Sequence, residues 1–180
     1  MKWEKKHTLE ETVEWTGLPE SEMEPFKAYV NGKTPGICGT YAAAALTVLM
    51  AKREEVVTQT MDELLKGMEA SIEYAFPYRG TFYWDVQRGL NDEWKKYGYK
   101  TRFNLFSEKV TPSLLEDRVP VIVGTTAALG SPYKNHWVVV YQYAFDSNGK
   151  LWYKAYDNHG SITTIIPAVQ TLCAIWLEKL

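Results

Sequence analysis

The stretch Gly36-Ile37-Cys38-Gly39-Thr40-Tyr41-Ala42-Ala43-Ala44-Ala45-Leu46 decides what kind of fold this chain adopts. Tyr41, Ala45, Val48, Leu49 and Lys52 recur at helical spacing, and the four successive alanines keep the cylinder slim enough to be packed on all sides. A central helix over Gly39 to Arg53 is predicted. The breaker-rich segment Asn31-Gly32-Lys33-Thr34-Pro35-Gly36 precedes it and delivers the chain to Cys38, at the helix mouth. The unpaired N–H groups of a first helical turn favour a thiolate and can hold an oxyanion. Gly36 and Gly39 allow close backbone approach to a substrate.

Upstream of this helix the first thirty residues are polar, with helical stretches predicted at Leu9 to Trp15 and Glu22 to Val30. Downstream, two more helices are predicted, Met61 to Ala75 and Phe82 to Tyr97, the second closed by Gly98 as a left-handed cap. The period then changes from helical to alternating. Tyr99 to Phe106 reads as a half-buried strand, and Thr111-Pro112-Ser113 opens a short helix with Thr111 as N-cap. Val119 to Thr125, His136 to Phe145 and Leu151 to Asp157 read as strands, the last two forming a hairpin across the turn Asp146-Ser147-Asn148-Gly149. Ile162 to Ile166 adds a strand, and Ala168 to Leu180 reads as a terminal packing helix. The class is α+β, with N-terminal helices packed on a C-terminal antiparallel sheet, in one domain spanning residues 1–180.

Composition narrows the function. With 46% hydrophobic residues the chain can bury a core, and its formal charge of -2 leaves no basic excess for nucleic acid. Two cysteines, Cys38 and Cys173, make no disulfide framework, and no Cys/His cluster has zinc spacing, so no metal is expected. No apolar run is long enough to span a membrane, and the charged stretch Met1 to Glu14 lacks a signal-peptide core. The chain reads as soluble, and reduced thiols fit a cytoplasmic setting.

His136 opens the strongly apolar strand His136-Trp137-Val138-Val139-Val140, which makes it the candidate base for Cys38. His7, in a charged N-terminal stretch, competes poorly as the base, and His159, in the turn Asn158-His159-Gly160, reads as solvated. Hairpin register supplies the third member. A loop of Asn148-Gly149, or of the four residues Asp146 to Gly149, puts Asp157 on the face of His136. The four-residue loop sets His136 opposite His159, with Asp157 diagonal at about 7 Å. A three-residue loop with a bulge hands the role to Asn158 instead.

In their order, Ile37-Cys38-Gly39 leading into the alanine-rich helix, Gly80-Thr81, Val119-Pro120-Val121-Ile122-Val123, His136-Trp137 and Tyr156-Asp157-Asn158-His159-Gly160 form a pattern. It resembles the papain-like cysteine peptidases, and among them the bacteriocin-leader-processing peptidases and their free-standing bacterial relatives. The resemblance covers roughly Asn31 to Gly160 and implies a peptidase with Cys38 as nucleophile, His136 as base and Asp157 as orienting residue. It implies a peptide or protein substrate, and no organic cofactor or metal. Where the family carries an oxyanion-hole glutamine this chain has Gly32, so Asn31 is the nearest amide for that role. A cysteine-dependent acyltransferase or transglutaminase, and a catalytically silent peptide-binding domain, share the same residues.

Overall fold

The computed structural model describes residues 7–32, 36–78 and 80–180. Lys33, Thr34 and Pro35 of the breaker-rich loop and Met1 to Lys6 of the charged N-terminus lie outside the described residues.

Four α-helices and seven strands are present among the described residues: β1 (Thr16–Gly17), α1 (Cys38–Arg53), α2 (Met61–Glu73), α3 (Tyr83–Trp94), β2 (Tyr99–Asn104), α4 (Ser107–Glu116), β3 (Val121–Thr125), β4 (His136–Phe145), β5 (Leu151–Tyr156), β6 (Thr164–Pro167) and β7 (Thr171–Lys179). The strands form one antiparallel sheet in the order β2-β7-β3-β4-β5-β6, with β1 added beside β4. Helix α1 packs on α2 and α3 and on strands β3 and β4, while α4 packs on β3, β4 and β7. Ala42, Ala43, Ala44 and Ala45 are all fully buried, because only a methyl-sized side chain fits a helix covered on every side. Every residue of β3 is buried, which for a two-residue period requires cover on both faces; α1 and α4 both pack there.

The predicted helices hold where their caps are written into the chain. Thr60 and Glu63 close a capping box at the start of α2, and Gly98 adopts φ 75° after α3 and the 3-10 turn Lys95–Tyr97. Three expectations fail. Residues 9–15 are not helical: this stretch is held by tertiary contacts on either side, His7 to Gln170 and Glu11 to the Ser147 amide. The short helix starts at Ser107 rather than at Thr111, so Pro112 lies inside it. The C-terminal segment is not a helix. After a 3-10 turn at Ala168–Gln170 it forms β7, an interior strand between β2 and β3. Buried Cys173, Ile175 and Leu177 recur every second residue, and alternation of that kind buries a strand face.

The β4–β5 hairpin has a five-residue loop. Phe145 pairs with Leu151, and the loop closes with Asp146 N–H to Lys150 O and Gly149 N–H to Asp146 O. That outer register would align Asn158 with the face of His136. A bulge then intervenes: Gln142 pairs with Lys154 but Val140 with Ala155, leaving Tyr141 as the extra residue. Leu18 N–H donates to the Tyr141 carbonyl at 2.9 Å, and Gln142 Nε2 to the Leu18 carbonyl at 2.8 Å, so β1 docks on the bulge. Beyond it, the shifted register runs toward His136 opposite His159.

Candidate active site

Cys38 is the first residue of α1, and His136 the first of β4. Both line one cleft of about 470 Å³, together with Thr81, Phe82, Trp84, Leu105, Trp137 and Leu172. The backbone N–H of Trp137 lies close enough to the Cys38 sulfur to favour its thiolate, so the thiol faces the opening of β4. Gly36 and Gly80 also border a second cavity of about 880 Å³, lined by Glu73, Tyr74, Phe76 and Tyr78.

Close packing dictates the glycine after Cys38. A Cβ on Gly39 would lie 2.4 Å from Thr81 Cγ2, and the Thr81 carbonyl in turn accepts from Trp137 Nε1 at 2.8 Å. Gly124 in β3 is similarly confined, between the Leu172 carbonyl and the Trp137 ring.

His136 is 6% exposed, and its Nε2 stands 2.7 Å from the main-chain carbonyl of Asp157. A carbonyl only accepts, so Nε2 carries the ring hydrogen and Nδ1 is the basic nitrogen. The contact between the two residues thus runs through the main chain. The Asp157 carboxylate accepts from His159 N and Ser161 N on Oδ1, at 2.9 Å each, and from Thr164 Oγ1 on Oδ2, at 2.6 Å. It ties the turn after β5 to β6 and so fixes the carbonyl on which the imidazole rests.

Asn158, the alternative orienting residue, is fully buried with φ 45° and donates to the Trp137 carbonyl at 2.9 Å. Asn31, expected near the oxyanion, is 7% exposed. Its Nδ2 donates to Asn158 Oδ1 at 2.5 Å, and its own N–H to the Asn158 carbonyl. The amide therefore braces the turn that carries Asp157. His159, expected to be solvated, is half-buried, its ring 4.5 Å from that of His136 in an edge-to-face arrangement.

Burial dominates the titration of the site. It pushes the Cys38 thiol up to about 11; the Trp137 N–H opposes this and the Glu73 carboxylate adds to it. It pushes His136 down to about 4, against the Asp157 carbonyl contact. Burial thus works against the charged form of each group, the thiolate and the imidazolium alike. Among the described residues, no group of three or more His, Cys, Asp or Glu is placed to hold a metal ion. No helix is long and apolar enough to cross a membrane.

Glu73 and its partner Thr40 are not legible as site residues, and Thr81 stands out only within the Gly80-Thr81 landmark. A glutamate ending an amphipathic helix reads as a solvated surface residue, and only folding brings it to the mouth of α1.

No family model and no curated protein matches the chain. Among solved structures, it is similar to a recombinant stem bromelain precursor, with a TM-score of 0.51 and 12% identity over 80% of this chain and 64% of that one. It is also similar to the peptidase domain of Streptococcus ComA, a bi-functional ABC transporter involved in quorum sensing. There the TM-score is 0.45 and the identity 18%, over 78% of this chain and 93% of that one. The chain spans less than two thirds of the bromelain precursor. The fold is papain-like: α+β, with a central helix on an antiparallel sheet.

Proposed function

We propose that this chain is a cysteine peptidase acting through Cys38, His136 and Asp157. The observation that carries the reading is that Cys38 and His136 open their helix and strand onto the same cleft, with the Trp137 N–H at the sulfur. Because burial works against both charged forms, the proton moves as the bond forms. His136 Nδ1 takes the thiol proton while Sγ adds to the peptide carbonyl, and the backbone N–H groups of Cys38 and Gly39 face the developing oxyanion. The C–N bond then breaks, and the imidazolium proton leaves with the amine. Water, deprotonated by His136, attacks the thioester; the acid departs and the thiol is restored. Asp157 holds the imidazole through its carbonyl, and its carboxylate holds that carbonyl in place. Phe82, Trp84, Leu105 and Leu172 give the cleft exposed apolar walls, which suit an apolar substrate side chain beside the scissile bond.

The raised thiol and lowered imidazole favour one other reading, a peptide-binding domain without turnover. Incubation with a peptide library, with and without an added amine, separates these. Released carboxylic acid that disappears in Cys38→Ala and falls by about a thousandfold in His136→Ala supports the peptidase. Amine-linked product without acid identifies acyl transfer, and binding with neither product identifies the silent domain.

A further inference from the structure

We propose that Glu73, the last residue of α2, is a positioning residue of the thiol site: it caps the first turn of α1 from outside that helix, and its proton state sets how readily Cys38 ionises. The proposal rests on the reading of Cys38 as the reactive thiol. Glu73 Oε1 accepts from Thr40 N at 3.2 Å and from Thr40 Oγ1 at 2.8 Å, while Oε2 accepts from Thr81 Oγ1 at 2.5 Å. Ile37, the N-cap of α1, makes no side-chain cap, so the carboxylate supplies from α2 what the helix lacks. Through Thr81, which packs on Gly39 and accepts from Trp137, the same contacts reach the strand that carries His136.

This network accommodates a proton without losing a bond. Thr81 Oγ1 is also 3.2 Å from the Gly36 carbonyl. With Glu73 ionised, the hydroxyl donates to Oε2. With a solvent proton on Oε2, the acid donates to Thr81 Oγ1, whose hydrogen turns to Gly36 O, and both Thr40 donors stay on Oε1. Burial raises the Glu73 carboxyl; the Thr81 and Thr40 bonds oppose that shift, and Asp85 adds to it. Among the described residues, the charged and titratable groups around it are Cys38 on α1, Asp85 on α3 and the adjoining Tyr74. Asp85 is itself bonded to Arg88 at 2.9 Å and to the Tyr78 hydroxyl at 2.6 Å. When Glu73 is ionised, a Cys38 thiolate is a second negative charge at one helix mouth; when Glu73 is protonated, the thiolate has the helix N-terminus to itself.

The test is the rate of iodoacetamide alkylation at Cys38, followed by peptide mass mapping across pH. In the parent chain, log rate against pH flattens where Glu73 titrates, since protonating Glu73 offsets part of the loss of thiolate. Glu73→Gln keeps the bond pattern of the acid without its charge. It should label roughly three- to tenfold faster at pH 8, with the flattened zone gone. Thr40→Val keeps the charge but removes one donor, and should move that zone to higher pH. An unchanged profile in Glu73→Gln overturns the proposal, as does a parent profile that climbs about tenfold per pH unit throughout. Should Glu73→Gln fail to fold, an unmoved zone in Thr40→Val overturns it equally. Alkylation reads the thiol and not turnover. Glu73 dependence in a chain without peptidase activity would therefore sink the peptidase reading and leave this one standing.

Discussion

Cys38 and Cys173 line the same cleft, yet their surroundings differ in kind. Around Cys173, in the interior strand β7, burial alone raises the thiol, to about 12, and its sulfur lies 3.9 Å from the Ala174 carbonyl. Around Cys38, burial is opposed by the Trp137 and Gly39 N–H groups and supplemented by the Glu73 carboxylate. The Cys173 N–H is committed to the Leu105 carbonyl at 2.9 Å, so that donor is lost to its sulfur. A helix mouth leaves several donors, which other elements can complete or contest. Reactivity in this cleft is therefore a property of where each thiol enters the fold.

The largest expected consequence is selective labelling. Iodoacetamide at pH 8 should modify Cys38 roughly a hundredfold faster than Cys173, and His136→Ala should cut the Cys38 rate without changing Cys173. Equal rates, measured by mass mapping, would erase the distinction between the two sites. A second consequence concerns stability. The folded chain holds His136 at about 4, below its ordinary 6.5, so below pH 6.5 the unfolded chain binds the extra proton. Stability is full above pH 6.5 and should fall by about 3 kcal/mol as pH drops to 4, a loss that denaturant titration of His136→Gln should not show. The smallest effect tests the packing behind Cys38. Gly39→Ala pushes a methyl into Thr81 and should cost about 1–3 kcal/mol, against no comparable cost for Gly36→Ala by contact, since none of the described residues lies within 4 Å there. Gly36 does have φ 95°, so any loss at that position reports backbone strain instead.

Strand β4 begins and ends at the residues its apolar run predicts, His136 and Phe145, and α1 differs from expectation only by including Cys38 itself. Both carry dense local signals: a run of β-branched residues in one, and alanines between a breaker loop and basic residues in the other. The C-terminal strand reads as a helix in the sequence because Ile175, Trp176 and Leu177 are apolar in succession, and a short apolar run has no period of its own. The hairpin shows a subtler limit. Its loop is five residues rather than four, yet the bulge at Tyr141 restores the register in which His136 faces the Asp157–His159 turn. Turn residues predict a loop; they carry no information about a bulge five residues before it, at Tyr141, where β1 docks.

The chain by itself determined that a cysteine would stand at the mouth of a buried helix and a histidine at the head of a core strand, because helix and strand periods are local and their ends are marked by breakers. Tertiary structure alone decided that the imidazole rests on the Asp157 main chain, that Asn31 braces Asn158, and that Glu73 reaches the first turn of α1. Those contacts join residues far apart in sequence, and which atom of a side chain or backbone meets another depends on packing that no local period encodes.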